Sequence, residues 1–155
     1  MSAGERTYPF VPRSSVRLIP GDFWAVPLAD GSFGCGRVLE HMPKGMPGSR
    51  VGFLGALLDW HEPEPPNSQR IAGAASVEQG VMHVFAITKT GGAVLGNRPL
   101  ALDRLEPWTF IDGNSVQKGF TRLRAAARAD VGLPALSWWG YTVIQILGNK
   151  RFLGA

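Results

Sequence analysis

A chain of 155 residues has the usual length of one domain and is long enough to bury its own hydrophobic core. Hydrophobic residues make up 45% of the chain and charged residues 18%, a balance that argues against disorder. Sixteen Lys and Arg against twelve Asp and Glu give a net charge of +4, which permits an acidic partner without requiring one. No apolar run reaches the roughly 20 residues that cross a bilayer, so the sequence predicts no membrane segment.

The first fifteen residues, with Gly4, Pro9 and Pro12 among polar groups, predict an irregular leader. We expect a single globular domain over residues 16–155. The N-terminus lacks the apolar stretch of a secretory signal, and the single cysteine, Cys35, fits a reducing compartment. The sequence therefore predicts a cytoplasmic protein.

Residues 20–41 predict a β-hairpin. Residues 23–28 and 33–40 are strand-like, and Asp30-Gly31 between them is a dipeptide typical of a tight turn. With a two-residue loop, the cross-strand pairs would be Trp24 with Arg37, Val26 with Cys35, and Leu28 with Phe33. The glycines of the second strand lead into more strand and not into a helix, which argues against a phosphate-binding loop.

The middle of the chain predicts further short strands. Residues 51–60 are ambiguous between a strand and a buried helix, and their two glycines favour a strand. Residues 61–69 contain three prolines and predict a loop, and a brief helix or turn is expected within residues 71–79. Residues 81–88 predict a strand covered on both faces, with residues 93–96 as its hairpin partner and residues 108–112 as another strand.

The last third predicts an amphipathic helix over residues 114–128, begun by Asn114 or Ser115. Its apolar side chains share one face, and its basic side chains, which include Arg122, Arg124 and Arg128, point elsewhere. Residues 138–147 predict a final strand before a basic tail. Together the elements predict an α+β fold, mainly antiparallel β, with a coiled sheet or partial small barrel and one amphipathic helix.

No set of catalytic or metal-binding residues emerges from the sequence. The three histidines lie apart and lack the spacing of a metal site. Cys35 lies in mid-strand with no group nearby to lower its pKa, so a nucleophilic pair with His41 is disfavoured. Glu62 and Glu64 lie in the proline-rich loop, where we expect solvated carboxylates. The sequence predicts neither an enzyme nor a cofactor, and an enzyme would require a pocket that gathers Cys35 or a histidine with carboxylates.

The candidate contact residues are aromatic and basic. Trp24 opposite Arg37 could form a cation–π pair or a base-stacking platform, although packing in the core is the favoured interpretation of the aromatic residues. The helix arginines Arg122, Arg124 and Arg128 fit either a face for an acidic protein or for phosphates, or a solvated side of the helix with no partner. Together with Lys150 and Arg151 in the tail, the same arginines would serve a nucleic-acid-binding module, which is the alternative function. The sequence leaves the oligomeric state open.

Two segments resemble the immunity protein 26 family. PGDFWAVPLADGSFGCGRVL, residues 20–39, resembles its opening hairpin, with Pro-Gly-Asp before an apolar strand, an Asp-Gly turn, and a strand that ends in Gly-Arg-Val. AVLGNRPLALDRLEPWTFID, residues 93–112, is similar to its second region, in which Gly-Asn-x-Pro-Leu precedes a proline and an aromatic strand. The resemblance implies a bacterial immunity protein that binds and neutralises a cognate toxin without catalysis. It assigns no toxin-contacting residues.

Overall fold

The computed structural model describes residues 6–155, and its strands form two sheets. In chain order the strands are β1 (Asp22–Pro27), β2 (Phe33–His41), β3 (Gly52–Leu58), β4 (Ser76–His83), β5 (Val94–Asn97), β6 (Thr109–Asp112), β7 (Ser115–Lys118), β8 (Thr121–Ala125) and β9 (Trp138–Trp139). The α-helices are α1 (Phe85–Thr88) and α2 (Val143–Leu153), and 3₁₀ turns span Ser15–Arg17, Leu100–Asp103 and Arg128–Gly132.

The larger sheet has the order β5-β1-β2-β3-β4-β9, and the smaller has the order β6-β7-β8. Every neighbouring pair is antiparallel except β4 and β9. The fold class is therefore α+β and rich in antiparallel strands, as predicted, with one main helix. Neither sheet closes into a barrel within the described residues.

The larger sheet is buried on both faces because successive side chains along a strand point to opposite sides. Trp24, Val26 and Val38 belong to the core on one face, to which both helices and the N-terminal segment contribute residues. Phe23 and Cys35 belong to the core on the other face, together with residues of the 60–74 segment and of the smaller sheet. Because β3 is covered on both faces, all of its residues are apolar.

The predicted hairpin is confirmed, but its register is shifted by one residue. Trp24 lies opposite Gly36, and Phe23 lies opposite Arg37. The loop is longer than two residues, since the Leu28 amide donates to the Ser32 carbonyl at 2.9 Å. A Cβ on Gly36 would overlap the Trp24 indole, so glycine makes room for the ring. The predicted pairing of Trp24 with Arg37 is wrong, and the two side chains point to opposite faces.

The strand prediction is confirmed at Gly52–Leu58, Val94–Asn97 and Thr109–Asp112. The partner predicted for residues 93–96 is wrong, because β5 pairs with β1. Residues 81–88 do not form one strand, since β4 ends at His83 and α1 follows it. The first five residues of the predicted leader lie outside the described residues, and Phe10 within it forms a β-bridge with Val94.

The predicted amphipathic helix over residues 114–128 is wrong. The segment is the β7–β8 hairpin, and Gly119 turns the chain with φ of 57°, in the left-handed region that favours glycine. The predicted final strand over residues 138–147 is also mostly wrong, because α2 begins at Val143 and ends at Leu153. Gly154 follows α2 with φ of 70°, a common helix terminator. None of the helices in residues 6–155 has the length and apolar character that a bilayer crossing requires.

Candidate partner-binding surface

Trp24 and Arg37, two of the predicted contact residues, have no exposed surface. The Trp24 ring packs edge-on against Phe53 with the ring centroids 5.7 Å apart. Arg37 lies on the opposite face of the sheet, beneath the 3₁₀ turn Leu100–Asp103. Neither side chain can touch a partner in this structure.

Arg37 belongs to a buried ion-pair network centred on Asp103. Its Nη1 donates to Asp103 Oδ2 at 2.7 Å, and Arg98 donates to the same carboxylate through Nε at 2.8 Å and Nη2 at 3.0 Å. The Gly73 amide adds a hydrogen bond to Oδ1 at 2.7 Å. Burial raises the pKa of Asp103, but these donors outweigh it and lower the pKa to about 2. The network joins β2 to two loops and stabilises the fold.

The two segments that carry the family resemblance are hydrogen-bonded to each other through Asp22 and Asn97. Asp22 is fully buried and accepts from Asn97 Nδ2 at 3.0 Å, from Tyr8 Oη at 2.7 Å and from the Ile19 amide at 3.0 Å. Asn97 also donates to the Pro20 carbonyl at 3.1 Å. Burial and the Asp22 carboxylate raise the pKa of Tyr8 to about 12. The side chains of these motifs therefore build the scaffold.

A serine, a histidine and an aspartate that the sequence did not connect meet at the tip of the hairpin. Ser32 Oγ lies 2.6 Å from His61 Nε2 and also bonds to Asp30. The hydrogen bond from Ser32 lowers the pKa of Asp30, so this carboxylate is ionised and can only accept. The single hydroxyl proton then goes to Asp30, and His61 is the donor to Ser32. A nucleophilic serine needs the reverse order, with the histidine accepting its proton.

The cysteine and the other histidines form no reactive pair. Cys35 is fully buried, and burial raises the pKa of its thiol far above its usual value. His41 lies six residues further along β2, a separation of about 20 Å at the usual rise of a strand. Burial lowers the pKa of His83, whose ring contacts Phe85 with centroids 4.2 Å apart. The described part of the chain contains no group of three or more residues placed to hold a metal ion.

Arg122, Arg124 and Arg128 are exposed, as contact residues must be, but Arg122 and Arg124 lie on β8, and not on the predicted amphipathic helix, and Arg128 begins a 3₁₀ turn. Arg124 forms two hydrogen bonds to Asp130, at 2.6 and 2.7 Å, and these bonds lower the pKa of Asp130 to about 2. The pairing of β7 with β8 shifts between Arg122 and Arg124, which leaves Leu123 as a bulge. A bulge with flanking charges is a common protection of an edge strand against pairing.

The remaining predicted cations lie on a different element. Lys150 and Arg151 lie in the last turns of α2, and Arg151 pairs with Asp59 at 3.3 Å. The five cations of the nucleic-acid alternative therefore come from β8, a 3₁₀ turn and α2, and two of them are already paired with carboxylates.

Sequence reasoning missed a groove between Val16 and the loop over residues 41–50. The groove, here called the basic groove, has a volume of about 620 Å³ and is lined mainly by Val16, His41, Met42, Lys44, Ser49 and Arg50. Lys44 and Arg50 are exposed, and 68% of Val16 is exposed. One signal was present in the sequence, since neither residues 6–21 nor residues 41–58 contain an Asp or a Glu. Only the fold brings these two segments together.

The protein has an α+β fold in which the side chains of Arg37, Asp22 and Asn97 form hydrogen bonds within the fold. Two basic surfaces, the β8 region and the basic groove, are exposed. A family model described as Immunity protein 26 matches residues 19–121, which is more than half of the chain. The chain therefore belongs to the immunity protein 26 family, as the resemblance implied. The match includes the loop of the basic groove and ends before Arg122. Searches of curated proteins and of solved structures found no significant match.

Proposed function

We propose that the protein neutralises a cognate bacterial toxin by forming a stoichiometric complex with it in the cytoplasm. Membership of the immunity protein 26 family carries this proposal, because the family suggests a toxin-neutralising role. A neutralising protein needs a stable surface that occludes or distorts its target, and needs no reactive group of its own.

The structure supports this proposal because many of its buried polar side chains form hydrogen bonds that stabilise the fold. Arg37, Asp103, Asp22 and Asn97 bond to one another or to the backbone within the fold. In the Ser32 and His61 pair, the histidine donates to the serine, which is the direction of a structural hydrogen bond and not of a catalytic one. The pair lies beside a β-bridge between Phe33 and Glu62. These groups stiffen the scaffold that would present a binding surface.

Two exposed surfaces could provide the contacts with the toxin. The sequence predicts the β8 region, where Arg122 and Arg128 form no ion pair within residues 6–155. The basic groove is the second. Trp24 and Arg37 would contribute only by holding the larger sheet in shape, since both are buried.

The experiment first looks for a candidate toxin in the reading frames next to the gene and then pairs the protein with it. We expect that co-expression restores growth to cells that produce the toxin, and that a catalytically inactive toxin domain forms a complex with the protein. Light scattering on the purified mixture should give the mass of one toxin domain plus one copy, or a symmetric multiple of it. Separate elution together with unchanged toxicity would refute the proposal. Binding to duplex DNA that weakens steeply with salt would favour the nucleic-acid alternative instead.

A further inference from the structure

We propose that the basic groove is the docking site for an acidic segment of the toxin. This inference rests on the proposed function and adds the surface and the chemistry of the partner. The occupant would carry Asp or Glu side chains that reach Lys44 and Arg50, and an apolar side chain that packs on Val16.

The charges of the groove lack partners within the described residues. Neither Lys44 nor Arg50 has a carboxylate at ion-pair distance in residues 6–155, whereas Arg98, Arg124 and Arg151 each do. The two segments that form the groove contain no acidic residue, so nothing within them offsets the positive charge. Such a potential accelerates the encounter with an acidic partner and selects against a basic one.

The groove combines these charges with exposed apolar side chains, which favours a protein over a nucleic acid. Val16 is 68% exposed at one wall, and Met46, on the same loop as Lys44, is 38% exposed. Apolar anchors surrounded by a charged rim are the usual composition of a protein interface, in which Met and Arg are enriched. A surface that tracks phosphates needs cations and large stacking rings, and within the described residues no Phe, Tyr or Trp lines this groove, whose one ring is the imidazole of His41.

The walls of the groove are held in place before any partner binds. Ser15 Oγ donates to the Ser49 carbonyl at 2.9 Å, and the Ser15 amide donates to the Arg50 carbonyl at 2.8 Å. These bonds fasten the segment of Val16 to the loop. Within the loop, the Ser49 amide donates to the Met46 carbonyl at 3.0 Å, which closes a turn. A surface ordered in advance loses little conformational entropy on binding.

The β8 region is a weaker candidate for docking. Its edge is interrupted by the bulge at Leu123, and Arg124 is already neutralised by Asp130. Its charges and bulge have a sufficient explanation in the protection of an edge strand.

Titration calorimetry with the inactive toxin domain tests the assignment. Lys44→Glu and Arg50→Glu should each weaken binding by about tenfold or more, because each replaces an attraction with a repulsion. The matched control is Lys150→Glu, which makes the same charge change at an exposed position on another element, and Arg122→Glu and Arg128→Glu test the rival surface at β8. We expect each of these three variants to change the affinity by less than about threefold. All five variants should keep the wild-type melting temperature, since the replaced side chains are exposed.

The outcomes separate the groove from the function. If the wild-type protein binds the toxin and the groove variants bind equally well, the groove assignment is overturned while the proposed function stands. Loss of binding only in the Arg122 and Arg128 variants would transfer the site to β8. No binding by the wild-type protein would refute both proposals. Support would be strongest if an Asp→Lys or Glu→Lys change in the toxin restored binding to Lys44→Glu but not to the wild-type protein. Groove-dependent binding to DNA with no binding to the toxin would overturn the protein assignment.

Discussion

Arg37 and Asp103 form an ion pair whose two side chains are fully enclosed by the protein. A charge in such a place is stable only while its partner is present, because burial removes the water that would otherwise solvate it. Arg98 supports the same carboxylate from a position closer to solvent. At the scale of single residues, this network is the most sensitive point of the structure.

Replacing Arg37 tests its structural role. Arg37→Met keeps much of the side-chain volume but leaves the buried Asp103 with one fewer cation, so we expect a loss of about 3 kcal/mol or more in the free energy of unfolding. Urea denaturation followed by circular dichroism measures it. Arg128→Met, at an exposed position, should change stability by less than about 0.5 kcal/mol. Equal urea midpoints for the two variants would show that the buried pair contributes little.

The lowered pKa of Asp103 predicts a loss of stability in acid. Its pKa of about 2 in the folded protein lies below the usual 3.8, so the ionised carboxylate stabilises the fold above about pH 4. That contribution disappears as the pH falls from about 4 toward 2. Asp103→Asn should therefore be less stable than wild type at pH 7 and should lose less stability over this acid range. Urea midpoints at pH 7, 4 and 3 test this, and parallel curves for the two proteins would contradict it.

At the scale of elements, the sequence predicts correctly those strands and turns that depend on interactions between residues close together in the chain. The hairpin of β1 and β2 follows from its turn residues and flanking apolar runs, and β3 follows from its glycines and length. The register could not be predicted, because it depends on how the Trp24 ring lies across Gly36. The sequence predicts a helix where the β7–β8 hairpin lies, because Val116, Phe120 and Leu123 also fit helical spacing. Pairing of β7 with β6 decided the outcome.

Gly36 tests the hairpin register. A methyl group at Gly36 would overlap the Trp24 indole, so Gly36→Ala should cost about 1–3 kcal/mol through overpacking. Gly132→Ala is the matched control, because its added Cβ meets no atom within 4 Å and its φ is not positive. We expect the control to be neutral or slightly stabilising. In the sequence-predicted register Trp24 faces Arg37, and Gly36→Ala would then be as harmless as the control.

The identity of α2 can be tested with two isoleucines. Ile144 and Ile146 would share a face in the predicted strand, whereas in the observed helix Ile144 is 1% exposed and Ile146 is 59% exposed. Ile144→Ala should therefore destabilise the protein by about 2–4 kcal/mol, and Ile146→Ala by less than about 0.5 kcal/mol. Thermal unfolding of both variants gives the comparison. Similar losses in both would restore the strand prediction.

At the scale of the whole molecule, the larger sheet is covered on both faces, and the side chains of the family motifs hold its edges and loops together. The candidate surface arises from segments distant in sequence, since residues 15 and 49 must meet before the basic groove exists. Local patterns could predict neither this meeting nor the burial of Arg37. The candidate toxin-binding surface is therefore a product of the tertiary fold and not of one segment of the chain.

We propose that the protein acts as a binder and not as a catalyst. The most direct measurement titrates a fixed amount of active toxin domain with the protein and follows the remaining toxin activity, well above the dissociation constant of the complex. We predict a linear fall that ends near one molar equivalent. Inactivation of many toxin equivalents by one protein molecule, or no loss of activity at any ratio, would contradict the claim.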